Sequence, residues 1–400
     1  GKKITGVEEA SAQEEIIARL QARGLTVVSL LPGDKGVKKP GAIARLGFGR
    51  QHHRITSYDL VLFCRQIATL LSAGVTILKT LEIISKQVSS RNLYNVIKDL
   101  EKHMEAGLSF HEAMAKHQNV FSDLWVNLVE SGEASGNLAV VLSRLASYLE
   151  RNASFKKKII SSLMYPALLM TAGMGALIFL TVKIIPTFAQ LFEGFNVTLP
   201  LLTRILVKIS EIIRKFGIIF IAIMIVCLYF LSRYIKTKEG RRRYEKFQFS
   251  LPVFGEFFRG LVLERFSSEM STLVESGVPI LYSLEITEHS VGNLIVADII
   301  RQVKEDVREG KSLNQPLERS GFFEPMVVQM IGIGEEIGEL SQMFKRINVF
   351  YQEYVETFLA RFTSMFEPLM LIFMGLIIGV MVIGMFLPIF QIATVGGAGQ

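Results

Sequence analysis

The chain has 400 residues, half of them hydrophobic, two cysteines and a formal net charge of +7. Two cysteines exclude a disulfide framework, and the composition describes a membrane protein that keeps large soluble portions. Charge clusters beside apolar spans make the positive surplus a topology signal, and no nucleic-acid partner is expected.

Residues 1–31 read as a small α/β module. A short strand at Ile4–Val7 precedes a helix opened by the Ser11/Glu14 capping box and closed by Gly24, and a second strand follows at Leu25–Leu31. The chain opens on Gly1 rather than Met, so its true start is expected to lie upstream; no signal peptide is visible. Residues 32–54 are rich in Gly, Pro and basic side chains and read as a flexible linker.

Residues 55–158 read as helix throughout. Leu60, Phe63, Cys64, Ile67 and Leu71 share one helical face, and Gly74 punctuates it before a second amphipathic helix through Leu81, Ile84 and Val88. Ser109, after Gly107, has the chemistry to accept from free N–H groups of the next helix, as does Ser312 after Gly310. Residues 159–185 form the first expected span; Ile159–Val182 holds 24 residues without a charge, against about 20 needed to cross a bilayer. Residues 186–215 read as an outer loop with an amphipathic helix that lies at the interface or extends the next span. A second span at 216–232 and a basic connector at 233–257 follow. A second helical repeat at 258–364 leads to a third span at 365–391 and a tail at 392–400.

The chain says the same thing twice. Phe63, Leu70, Gly74, Val75, Leu81 and Glu82 return as Phe266, Leu273, Gly277, Val278, Leu284 and Glu285, at a constant offset of 203. Gly132-Glu133…Gly136 returns as Gly334-Glu335…Gly338, and Pro166 and Pro186 as Pro368 and Pro388, at 202. The expected fold is therefore mostly α: two homologous helical bundles of about six helices each, with three transmembrane helices. Lys156–Lys158 before the first span and Arg233 to Arg243 after the second put the N-terminus and both bundles in the cytoplasm and the tail outside.

Catalytic equipment is not found. There is no phosphate-binding G-x-x-x-x-G-K-[ST] loop, and His111-Glu112-Ala113-Met114-Ala115 lacks the second histidine of a zinc helix. No cofactor or metal is expected. The spans carry no ionisable residue at mid-depth, which weakens the alternative of a repeat-built transporter or channel.

The candidate docking residues are Gly132, Glu133 and Gly136 with their counterparts Gly334, Glu335 and Gly338, together with Arg241, Arg242 and Arg243. Each Gly-Glu-x-x-Gly is also explained as a tight corner, its glutamate favouring the N-terminus of the following helix. Pro166, Pro186, Pro368 and Pro388 shape the spans or form part of a surface for another transmembrane helix. Gly375 and Gly379 permit close helix approach, within the chain or to a partner.

The two copies resemble the type II secretion F domain of the inner-membrane platform proteins of type IV pilus and type II secretion machines. Arg65–Val75, Gly107-Leu-Ser, Gly132-Glu133…Gly136 and Tyr165-Pro166 carry the likeness in the first copy; Leu273–Pro279, Gly310-Lys-Ser, Gly334-Glu335…Gly338 and Glu367-Pro368 carry it in the second. The pilus branch is the nearer in its Ala-Gly-Val and Ser-Gly-Val-Pro forms. The resemblance implies a non-enzymatic platform in the bacterial inner membrane. Its expected partners are a hexameric assembly or retraction ATPase, pilin or pseudopilin transmembrane helices, other components of the machine, lipid, and further copies of itself as a dimer or higher oligomer.

Overall fold

A computed structural model describes residues 54–193 and 200–396, with a few isolated positions between 17 and 27. The chain divides into a unit of residues 1–51 and a unit of 52–400, and the second carries all that follows. The expected α/β module apart from those isolated positions, and the linker apart from Arg54, lie outside the described residues.

The described residues hold no β-strand, and each repeat has six helices among them. The first repeat comprises α1 (Ser57–Ser72), α2 (Ile77–Gln87), α3 (Arg91–Glu105), α4 (Phe110–Ala115), α5 (Asp123–Ala134) and α6 (Leu138–Phe179). A five-residue π turn, Leu180–Ile184, joins α6 to α7 (Ile185–Glu193), and α8 (Leu201–Ile235) and α9 (Lys238–Ser250) lead into the second repeat. Its helices are α10 (Phe254–Glu275), α11 (Ile280–Ser290), α12 (Leu294–Arg308), α13 (Asn314–Arg319), α14 (Pro325–Glu336) and α15 (Leu340–Gly396).

Local chemistry starts these helices. Thr56 and Asp59 close a capping box on α1, with Asp59 N donating to Thr56 Oγ1 at 3.2 Å and Thr56 N to Asp59 Oδ2 at 2.9 Å. Ser109 and Glu112 do the same for α4, which satisfies amides that a helix start leaves open. The second repeat differs: Leu313, not Ser312, is the N-cap of α13, and Ser312 Oγ turns to Asn314 Oδ1 at 2.6 Å.

The expected apolar face of α1 faces inward. Phe63, Cys64 and Ile67 are buried with Leu81, Ile84, Leu93, Phe110, Leu124, Leu128 and Leu142 in the first core, and Phe266, Met270, Leu284, Ile300 and Phe344 build the second. Burying each such side chain contributes about 1.5–3 kcal/mol. Leu273, Val278 and Ile286 of the second repeat are buried in the core of the first, so the bundles share apolar packing.

Three helical stretches are long and apolar enough to cross a membrane: Leu138–Phe192, Leu201–Ile235 and Leu340–Phe390. The first and third begin inside the bundles, so α6 and α15 each serve as a bundle helix and a span without a joint. These two helices run parallel: Thr363 Oγ1 donates to Ser162 O at 3.3 Å, Tyr165 Oη to Glu367 Oε1 at 3.0 Å, and Met374 lies against Gly173. The amphipathic segment after Pro200 is continuous with the second span, so it extends that span.

Proline placement explains how α8 is held. Proline has no N–H, so the carbonyl one helical turn earlier loses its partner. The π turn shifts that partner by one residue, and Pro186 releases Thr181 O, which accepts from Ser210 Oγ of α8 at 2.5 Å. Pro388 releases Gly384 O, which accepts from Thr203 Oγ1 of the same helix. Thr203 and Ser210 are both buried, two turns apart on one face. Pro166 likewise releases Ser162 O, the acceptor of Thr363. Substituting Thr203→Val or Ser210→Ala is expected to destabilise the three-span assembly by about 0.5–2 kcal/mol each, read as a lower thermal midpoint of the detergent-solubilised chain.

Candidate functional site

The two Gly-Glu-x-x-Gly corners use their residues in the same way. Gly132 is buried so closely that a Cβ would lie 3.1 Å from Leu138 Cα and Val141 Cβ, and at Gly334 it would lie 2.7 Å from Met343 Cγ. These glycines let α5 and α14 lie hard against the long helices. Gly136 (φ 71°) and Gly338 (φ 74°) adopt the left-handed conformation that reverses the chain after each.

The glutamates do not serve the helix that follows them. Glu133 reaches back 23 residues and accepts from Phe110 N at 2.8 Å and His111 N at 3.0 Å, with its other contact to His111 Nδ1 at 2.6 Å. Glu335 accepts from Leu313 N at 2.8 Å. Each carboxylate thus ties the N-terminus of a six-residue helix, α4 or α13, to a corner. The reason is geometric: the amides of the following helix lie beyond the reversing glycine, whereas those of α4 and α13 face the end of α5 and α14. Because Glu335 takes the Leu313 amide, Ser312 is not needed as a cap.

The basic run also has internal partners. Arg241 bonds Glu245 Oε1 at 2.9 Å and Gly292 O at 2.6 Å, while Glu245 Oε2 accepts from Leu294 N at 2.7 Å and caps α12. Arg242 reaches Asp298 at 2.7 Å and Arg243 reaches Tyr234 Oη at 3.2 Å. The connector α9 is therefore strapped to the second repeat, with Arg242 and Arg243 still exposed. In the third span, a Cβ added at Gly375 or Gly379 would meet nothing within 4 Å. Their close-approach face is unused inside the chain.

Between the repeats lies a polar network that sequence reading did not find. Glu269 is fully buried and accepts from Arg265 Nε at 3.0 Å, from Tyr148 Oη at 3.4 Å across the interface, and from Ser290 Oγ. Burial pushes its carboxyl up, and the Arg265 guanidinium and the hydroxyls oppose that push. At the corresponding positions the first repeat has Gln66 and Gln87, joined at 3.2 Å. Comparing the copies residue by residue would have exposed this change from amide pair to charge. Tyr282 Oη meets Asn127 Oδ1 at 2.5 Å and Glu130 at 3.3 Å, Arg144 grips Glu275 O, and Lys158 pairs with Glu356.

Nearby, Asn348 Nδ2 donates to Glu264 Oε1 at 3.1 Å. Burial pushes the Glu264 carboxyl up to about 7, Glu269 adds to this, and Asn348 and Arg265 oppose it. Among the described residues no group of three or more His, Cys, Asp or Glu could hold a metal.

Two predictions follow from this geometry. Glu133→Ala leaves the Phe110 and His111 amides without their acceptor and is expected to cost about 1–3 kcal/mol; Glu133→Gln, which keeps an acceptor oxygen, should cost less in the same thermal melts. The unfolded chain releases the Glu264 proton in the ordinary carboxylate range, at about pH 4.3, whereas the native fold holds it to about 7. Stability from this group is fully present below the lower limit and is lost as pH rises through the upper one. Glu264→Gln should flatten that fall in melting temperature measured between those limits.

The family profile described as type II secretion system (T2SS), protein F, matches this chain twice, at residues 63–186 and 266–388. The chain is 38% identical over 394 residues to the type IV pilus assembly protein PilC of Thermus thermophilus, covering 98% of this chain and 95% of that one. It is 34% identical to the protein of the same name from Myxococcus xanthus, covering 98% and 93%. It is 31% identical to the type II secretion system protein F of Pseudomonas aeruginosa, covering 99% and 97%. With both copies matched and nearly the full length aligned, the chain belongs to the type II secretion system protein F family.

Proposed function

We propose that the protein is the non-enzymatic inner-membrane platform of a type IV pilus machine, coupling a cytoplasmic hexameric ATPase to insertion or removal of pilin subunits at the fibre base. Two pilus assembly proteins, at 38% and 34% identity, stand above the secretion protein at 31% and support the pilus reading, while three other pilus assembly proteins match at 27–30%. The observation that carries the reading is mechanical. Each bundle runs into the bilayer through one uninterrupted helix, and the two helices are pinned to each other at Ser162–Thr363 and Tyr165–Glu367. A displacement of a bundle is therefore handed to a span with little slack.

In this reading both bundles face the cytoplasm and the C-terminus faces the periplasm, which the surplus of lysines and arginines flanking the spans on one side supports. The exposed guanidinium groups of Arg242 and Arg243 contact the ATPase. Glu133 and Glu335, held by internal hydrogen bonds, shape the adjoining corners and act as positioning residues. The open face of α15 at Gly375 and Gly379, with the kink at Pro368, receives a pilin helix.

A flexible four-residue Gly-Ser insertion after Lys157 breaks the continuity while leaving the bundles and spans intact. The expected result, in cells lacking the native copy, is a membrane-inserted protein that still co-purifies with the ATPase but assembles no surface fibres. Fibres at the normal level would sink the coupling mechanism. Arg242→Glu with Arg243→Glu is expected to weaken ATPase co-sedimentation about tenfold, and unchanged co-sedimentation would remove α9 from the docking surface.

A further inference from the structure

The contact between the two repeats is one-sided. Helix α11, the second helix of its repeat, lies on α5, the fifth helix of the other; the reciprocal pair, α2 and α14, makes no comparable contact. A closed two-fold arrangement would form both. The repeats are instead related head to tail, which leaves one donor face and one acceptor face open at the ends of the chain. We propose that a second copy of this chain fills them, α2 of one copy docking on α14 of the next.

The open faces are the diverged equivalents of a contact already present, and they have diverged in complementary ways. Tyr282, which reaches Asn127 and Glu130 within the chain, corresponds to Lys79, whose side chain is 59% exposed and bonded only to the neighbouring Glu82. Asn127 and Glu130 correspond to Gln329 and Gly332, which line a groove of about 400 Å³ on α14 that also carries Glu318 and Glu336. A neutral tyrosine contact is thus replaced by a lysine facing two exposed carboxylates, a charge match that sets register and partner choice. The polar neighbours Tyr148 and Arg265 correspond to Phe350 and Leu62, which are 41% and 45% exposed. Those two would meet as an apolar pair.

An independent observation lies in the span. Pro166 releases the Ser162 carbonyl, and Thr363 of the other repeat supplies the hydroxyl. Pro368 releases the equivalent Ser364 carbonyl, and among the described residues no hydroxyl of a neighbouring helix reaches it. The residue equivalent to Thr363 is Ser161, exposed on α6. The next copy, related as the second repeat is to the first, brings its Ser161 toward that carbonyl. Because α6 and α15 run parallel, repeating their relation keeps every span in the same membrane.

The experiment uses the full chain in a Cys227→Ser background, where Cys64 is buried. Two differently tagged copies, one with Lys79→Cys and one with Gln329→Cys, are co-expressed, and membranes are treated with a short bis-maleimide. The expected product carries both tags, and neither variant couples to itself. Asn127→Cys with Tyr282→Cys in a single chain reports, by its intrachain product, that the repeat contact is intact. Lys79→Glu on an otherwise unaltered face should lower the oligomer fraction of detergent-solubilised chain about tenfold, and Glu336→Lys in the same chain should restore it. Self-coupling of the Lys79→Cys copy, coupling to a different protein in place of the second copy, or an unchanged oligomer fraction with Lys79→Glu would each overturn the proposal.

Discussion

In a bilayer no water completes a hydrogen bond that the backbone leaves open. That constraint organises the membrane part of this protein. Each repeat carries two prolines along its membrane-spanning stretch, and every proline frees a carbonyl. Three of the four carbonyls receive a hydroxyl from a neighbouring helix: Thr181 from Ser210, Gly384 from Thr203, and Ser162 from Thr363. The kinks that would be defects in an isolated helix thus become the points at which helices are joined. Helix α8, which has no duplicate, is joined to both spans through two small hydroxyl side chains. The rest of it, from residue 218 to 231, is exposed along its length.

The soluble halves follow a different economy. Apolar faces at helical spacing build two cores of the same design, and the duplication preserves the turns, the corners and the carboxylate that ties a short helix to each corner. The copies differ where they meet. The second repeat buries Glu269 and Arg265 against Tyr148 of the first, at positions where the first repeat has Gln66 and Leu62. A buried charge with its hydrogen bonds in place adds little net stability but tolerates no mismatched neighbour. Here it gives the two otherwise similar bundles distinct faces.

Rigid continuity between bundle and span links this architecture to the membership shown by both family matches and by near full-length relatives. The proposed role, passing a displacement from bundle to span, rests on such stiff connections. The helices that leave the bundles have no hinge before the bilayer: Pro166 sits where Thr363 braces the kink, and Lys158 and Glu356 tie the pair just below it.

Much of this was legible in the residue order. The repeat, six helices per copy, three apolar spans and the left-handed turn glycines follow from periodicity, length and the conformational freedom of glycine, which are local properties. The reach of Glu133 to Phe110, of Glu245 to Leu294 and of Thr203 to Gly384 was not legible. Such bonds join residues 23 to 181 positions apart, and nothing in the spacing names the partner. The glutamate of each corner was expected to favour the next helix because sequence proximity suggests it, but the reversing glycine turns those amides away. By itself the sequence determined what each segment is, since helix, turn and span arise from short-range sterics and hydrophobicity. Only the tertiary structure decided which side of one repeat lies on the other and which carbonyl meets which hydroxyl, because those choices depend on the directions in which folded helices point their side chains.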